Sequence, residues 1–77
     1  NPFNEKITID FDTNVGDIIS IYVYDIKGVK MDEILDKHTV TNNNKIEWNP
    51  NKNLKSGVYF LSFNLNGKMF NQKIIKK

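Results

Sequence analysis

The chain ends in a stretch typical of a β-hairpin, from Ser56 to Lys77. Asn66-Gly67 stands between two runs of β-forming residues, and both residues tolerate the positive φ that a two-residue type I′ turn requires. Counting outward from this turn sets the pairing of the two strands. A shift of one residue would turn the whole apolar face toward water, so the pattern specifies one register. The residues predicted to face the core are Tyr59, Leu61, Phe63, Phe70 and Ile74.

Short β-type segments separated by turn clusters fill the preceding chain. Ile7, Ile9 and Phe11 alternate with polar residues and predict a half-buried strand. The apolar run Ile18–Asp25 predicts a central strand. Lys45–Trp48 predicts another, with Trp48 on its apolar face.

The segment after the turn Asp25–Gly28 fits two local structures. In that turn Asp25 can bond its own backbone and Gly28 can take positive φ. Val29–Leu35 then predicts a strand with Val29, Met31 and either Ile34 or Leu35 inward, although Met31–Leu35 also has helical spacing. We expect a brief edge strand over His38–Thr41.

These segments predict an all-β fold, a small immunoglobulin-like antiparallel β-sandwich of about seven strands. With 77 residues, positions 1–77 are expected to form a single domain. Trp48 is the predicted large core aromatic. Leu54 and Tyr59 have the spacing of a tyrosine corner, in which the phenol bonds backbone upstream of its strand.

Composition limits the chemistry that the chain can perform. It has no Cys, which excludes disulfides, thiol nucleophiles and Cys-ligated metals. The net charge of +2 comes from Lys alone, and the absence of Arg argues against a nucleic-acid partner. No apolar run approaches the ~20 residues of a membrane span, so we expect no membrane insertion.

No set of residues with catalytic or metal-binding spacing is present. The single His38 lacks a nucleophile or carboxylate partner in any recognisable motif and is expected to be solvated. Asp10, Asp12 and Asp17 could hold Ca²⁺, but they do not match an EF-hand loop, so a solvated turn is favoured. We therefore expect no enzyme activity, no metal and no cofactor.

Aromatic residues leave a second hypothesis open. Tyr22, Tyr24 and Phe60 could stack on sugars if they lay exposed on one sheet face, and the chain would then be a carbohydrate-binding or adhesive module. The alternatives are that these rings belong to the core, or that the chain is a structural immunoglobulin-like spacer of a secreted hydrolase or adhesin.

Several motifs together resemble the C-terminal sorting domain of the type IX secretion system. The most specific are an Asn-Pro-Phe-Asn start and a Ser-Gly-Val-Tyr-Phe motif, followed by a lysine-rich end. The resemblance spans the chain. Its residues are Asn1, Pro2, Phe3, Asn4, Tyr24, Asp25, Gly28, Trp48, Gly57, Val58, Tyr59, Phe60, Asn66 and Gly67.

The resemblance implies a β-sandwich attached to secreted proteins of Bacteroidetes-type bacteria. Its expected partners are the type IX translocon, a sortase-like peptidase and a covalently linked upstream cargo domain. The expected location is the extracellular medium or the outer-membrane surface of a Gram-negative bacterium, reached through the periplasm. The chain would then be a fragment of a longer secreted protein.

The last strand is the candidate recognition site. After Phe70 only Ile74 is required inside, which leaves the other side chains for a partner. Recognition could proceed by strand addition to this edge. Lysines on an edge strand can also simply discourage unwanted pairing, and the sequence leaves both interpretations open. The candidate residues are Asn71, Lys73, Ile75, Lys76 and Lys77.

Overall fold

A computed structural model describes residues 2–3, 5–42, 44–50 and 54–77, and these residues form strands and turns only. None of them forms a helix long and apolar enough to cross a membrane. The candidate motif residues Asn1 and Asn4 lie outside the described residues, as does the centre of the loop before Leu54. The strands are β1 (Pro2–Phe3), β2 (Ile7–Asp10), β3 (Ile18–Asp25), β4 (Lys30–Thr39), β5 (Lys45–Trp48), β6 (Gly57–Leu65) and β7 (Lys68–Lys76).

Two sheets of unequal size make up the sandwich. The larger has five strands in the order β1-β7-β6-β3-β4, and the smaller pairs β2 with β5. Six strands pair antiparallel, whereas the two-residue β1 pairs parallel with β7. Buried side chains from both sheets form one core cluster, in which Ile21, Val23 and Ile74 are fully enclosed. The expected all-β sandwich, with β3 as a central strand, is confirmed.

The β6–β7 hairpin has the register that the sequence predicts. Phe63 pairs with Phe70 and Tyr59 with Ile74, and the turn residues have φ of 50° at Asn66 and 89° at Gly67. The expectation that Phe70 belongs to the core is wrong, because its side chain is 50% exposed. Phe70 lies on the inner side of the sheet, but the two-stranded sheet is too narrow to cover it.

Asn66 ties the hairpin turn to the start of β3. Its backbone N–H donates to the carbonyl of Ile18, and its side-chain oxygen accepts the N–H of Ile18, both at 2.9 Å. Its side-chain N–H also donates to the carboxylate of Asp17 at 3.1 Å. The same carboxylate accepts the N–H of Asn14 at 2.9 Å. Asp17 is therefore a structural residue of the β2–β3 turn.

These hydrogen bonds predict an acid-sensitive contribution to stability. The N–H of Asn14 and then the amide of Asn66 lower the pKa of Asp17 below its ordinary 3.8, because both donors stabilise the carboxylate. The contribution is present above pH 3.8 and is lost as the pH falls through the lower folded value. We expect Asp17→Asn to flatten this part of the stability profile, measured as urea midpoints from neutral pH downward. Asp12→Asn is the matched control, and an equal flattening in that variant would contradict the assignment.

Tyr59 and Trp48 close the core at the other end of the sandwich. The Tyr59 hydroxyl donates to the backbone carbonyl of Lys55 at 2.6 Å, which confirms the tyrosine corner. Trp48 is 5% exposed, as predicted for the core aromatic. Its indole N–H donates to the Asp32 carboxylate on β4 at 2.8 Å, which joins the small sheet to the far edge of the large one.

Loss of the tyrosine-corner bond should destabilise the fold measurably. Tyr59→Phe leaves the carbonyl of Lys55 without this partner, and we expect a loss of about 1–2 kcal/mol in the free energy of unfolding. Tyr22→Phe is the matched control, because its hydroxyl bonds the exposed carboxylate of Asp36, where water can replace it. Urea unfolding of both variants tests this difference. Equal losses of unfolding free energy in the two variants would show that the tyrosine-corner bond stabilises the fold no more than the exposed Tyr22 bond.

The β4 strand differs most from the sequence prediction. The strand interpretation is confirmed over the helix, and His38 and Thr39 complete this edge strand instead of forming a separate one. Val29 and Met31 are wrong as inward residues, since they are 54% and 44% exposed. The pairing with β3 shifts register three times, and Met31 is the extra residue opposite the step from Val23 to Tyr24. Asp32 takes the inward place beside Val23.

Candidate functional site

The β7 strand has a partner along one side and is largely open along the other. Each residue from Lys68 to Lys76 pairs with β6. On the opposite side β1 pairs only at Ile75 and Lys76, and the N–H of Lys77 donates to the carbonyl of Phe3 at 2.8 Å. Within the described part of the chain, the side of β7 before Ile75 has no strand beside it.

The backbone groups on this open side belong to alternate residues. A two-residue turn closes with hydrogen bonds between Leu65 and Lys68, and an antiparallel ladder then alternates bonded and non-bonded pairs. The N–H and C=O groups of Met69, Asn71 and Lys73 consequently point away from β6. We call this row of backbone groups, from Met69 to Lys73, the open edge.

The end of β7 is held by the start of the chain. Phe3 is 7% exposed, and its ring packs against that of Trp48 with centroids 5.8 Å apart. Since the side chain of Phe3 is anchored in the core, its backbone stays beside the last residues of β7. The candidate residues therefore divide in two: Asn71 and Lys73 lie on the open edge, whereas Ile75, Lys76 and Lys77 run beside β1.

Comparison with protein families decides what kind of domain presents this strand. A family model described as the secretion system C-terminal sorting domain matches residues 1–77. The chain belongs to this family. Neither a curated protein nor a solved structure gives a significant match. The resemblance noted from the motifs is thus confirmed over residues 1–77.

Acidic residues and lysines are unevenly distributed along the sorting domain. Residues 1–47 hold all nine acidic residues and five lysines, a net charge of −4. Residues 48–77 hold six lysines and no acid, a net charge of +6. The described ion pairs join Lys6 to Glu47, Lys30 to Glu33, and Lys45 to Asp10. None of them involves a lysine of β7.

The other edge of the large sheet is irregular by comparison. The three register shifts of β4 break its ladder, and Lys37 has a φ of 51°, a left-handed conformation. Bulges of this kind hinder the addition of another strand. The pairing of β7 with β6 shows no register shift. Compared with β4, the open part of β7 therefore offers the more regular template for an added strand.

The aromatic residues proposed as a sugar platform do share the outer face of the large sheet. Tyr24 and Phe60 are cross-strand neighbours, and each is half-buried. Tyr22 is already engaged, because the ammonium of Lys30 lies 4.6 Å from its ring centre. Its hydroxyl donates to Asp36 at 2.6 Å, and this bond raises the pKa of Tyr22 above its ordinary value. Only Tyr24 and Phe60 therefore remain as stacking surface.

The residues considered for chemistry do not converge. His38 is exposed near the end of β4, as expected. Among the described residues no group of three or more His, Asp or Glu side chains could hold a metal. The sequence interpretation missed Met69 as an open-edge residue, although counting from Asn66-Gly67 would have found it. It could not have found Phe3 beside the last strand, because nothing local links the two ends of the chain.

Hydrogen exchange should distinguish the two halves of β7. We expect fast exchange at the amides of Asn71 and Lys73, which face solvent, and slow exchange at Gln72 and Ile74, which bond β6. The Lys77 amide should be protected by Phe3 in the wild type and should lose that protection in Phe3→Leu. NMR-detected exchange measures each amide separately. Protection of Asn71 equal to that of Gln72 would contradict the open edge.

Proposed function

We propose that this sorting domain is a non-catalytic secretion signal that directs an upstream cargo protein through the type IX outer-membrane translocon. Residues 1–77 act in this proposal as one domain, covalently linked to the cargo that precedes it. The cargo reaches the extracellular medium or the cell surface by way of the periplasm. A sortase-like peptidase then processes the exported protein.

The open edge of β7 is the observation that carries the proposed recognition step. A row of unpaired backbone groups can add a strand from a partner, which gives affinity through main-chain hydrogen bonds. Side chains at alternate positions then give specificity. On β7 those outward side chains include Asn71 and Lys73, both exposed. The translocon would bind there first.

The lysine-rich end supplies the second part of the signal. Ile75, Lys76 and Lys77 have their backbone groups engaged by β1 or β6, so they contribute side chains and charge. Ile75 is 37% exposed and Lys77 is exposed, which leaves both within reach of a partner.

Deleting residues 73–77 should abolish export, because it removes three lysines and the end of the last strand. Undiminished export of this deletion would exclude the tail as a signal.

A backbone substitution separates recognition from folding. Asn71→Pro removes one outward N–H without breaking the pairing with β6, because proline is tolerated where that N–H faces solvent. We expect a reporter cargo fused to this variant to remain in the cells of a type IX-competent host. The readout is the fraction of reporter in the medium and on the cell surface.

Asn71→Thr is the matched control for this experiment. It keeps the backbone N–H and suits a strand, so export should continue if the backbone carries the interaction. Circular dichroism of both purified variants checks that the sandwich is folded. Export of the proline variant at the wild-type level would rule out strand addition at Asn71.

A further inference from the structure

A cleft runs between the two sheets on the side of the open edge. It has a volume of about 450 Å³. Its lining combines apolar and polar side chains, from Phe3 of β1, from Lys6 and all four residues of β2, from Leu61 and Phe63 of β6, and from Gln72 of β7. No residue of β5 contributes. Because both the inward and the outward residues of β2 line the cleft, β2 presents its unpaired side to it.

The position of β5 explains why the sandwich stays open on this side. Trp48 of β5 bonds Asp32 of β4, which places β5 over the far edge of the large sheet. The two-stranded sheet then ends with β2, before it reaches the start of β7. Phe63, half-buried, lines the cleft, and Phe70, half-exposed, is its cross-strand neighbour on β7. One more strand beside β7 would cover these apolar surfaces.

Ladder geometry sets where the side chains of such a strand would point. Residues that pair across a ladder lie on the same face of the sheet. Positions opposite Phe70 and Gln72 would enter the cleft, whereas positions opposite Asn71 and Lys73 would lie on the outer face. Since Phe70 and its neighbour Phe63 supply exposed apolar surface on the inner face, an added strand is favoured when its inward side chains are apolar.

Charge sets the chemistry of the intervening positions. The β7 strand and Lys77 carry four lysines and no acidic residue, and the described ion pairs involve none of them. Like charges placed opposite one another destabilise a ladder, whereas opposite charges stabilise it. A second copy of this chain, pairing through β7, would bring four more lysines and no acidic residue to the same edge. Acidic side chains beside Lys73 are favoured instead.

We infer that the open edge binds an extended segment of the export machinery in which apolar residues, directed into the cleft beside Phe70, alternate with acidic residues beside Lys73. This inference rests on the proposed function and names the partner's chemistry at that site. The inner face beside Phe70 favours apolar side chains, and Lys73 on the outer face favours acidic ones.

A short synthetic peptide tests the inference on the 77-residue chain. The probe is a capped peptide of roughly seven residues in which valine alternates with glutamate. We expect saturable binding, with the largest amide shifts and new exchange protection at Met69, Asn71 and Lys73. The affinity should fall as salt is added, since the charges are near the surface. A peptide of the same composition with its valines grouped together, and one alternating valine with lysine, are the controls.

Two substitutions locate the interaction on the chain. Lys73→Glu should weaken binding roughly fivefold or more, as expected for reversal of an exposed ion pair. Lys27→Glu, the same charge change in the turn after β3 and outside the open edge, should leave affinity unchanged. Asn71→Pro should abolish protection at the open edge while the hairpin stays folded. Equal weakening by Lys73→Glu and Lys27→Glu would overturn the local role of Lys73.

The remaining outcomes separate this inference from the proposed function. Equal binding of the valine–lysine or grouped-valine peptide would overturn the stated partner chemistry. Concentration-dependent dimers that pair through Met69–Lys73 would overturn it in favour of a second copy. Loss of export in Asn71→Pro, with no binding of the valine–glutamate peptide, would retain β7 as the sorting site and overturn only the chemistry. Undiminished export of both Asn71→Pro and Lys73→Glu would overturn the proposed site itself.

Discussion

The hydrogen bonds of Asn66 set the relation between the last hairpin and the rest of the sandwich. Its positive φ of 50° makes the tight turn, and its backbone and side chain together bond both polar backbone groups of Ile18. The registers of β6 against β7 and of β6 against β3 are therefore set at one residue. Because a slip of one position would turn every side chain to the opposite face, the core and the open edge both depend on the turn at Asn66.

The unequal size of the two sheets leaves one side of the sandwich open. The seven strands formed by the described residues divide as five and two, and the bond between Trp48 and Asp32 draws the small sheet toward β4. The start of β7 is then left without cover, which explains the half-exposed Phe70. A folded domain that leaves a regular strand edge beside a cleft of mixed polar and apolar lining has a surface suited to receiving another strand. Lys68 and Lys73 of β7 lie along that edge.

Much of this architecture could be predicted from the sequence because the determining signals are local. The turn at Asn66-Gly67, the alternation of Ile7 and Ile9, the apolar run of β3 and the spacing of Leu54 and Tyr59 each act within a few residues. The β4 strand could not be predicted in the same way. With its three register shifts, Leu35 lies opposite Ile21 and Asp32 lies opposite Val23 and bonds Trp48. These partners are distant in sequence from β4.

Some features of the candidate site also follow from the sequence, whereas others depend on the tertiary structure. The sequence by itself determined the hairpin register, and with it the outward direction of the Asn71 and Lys73 backbone groups, because the ladder alternates from the turn. It also determined the family and the lysine-rich end. Only the tertiary structure decided which part of β7 is open, because that depends on Phe3 reaching Trp48 and holding β1 beside Ile75 and Lys76. Such a contact joins the two ends of the chain, and no local pattern can specify it.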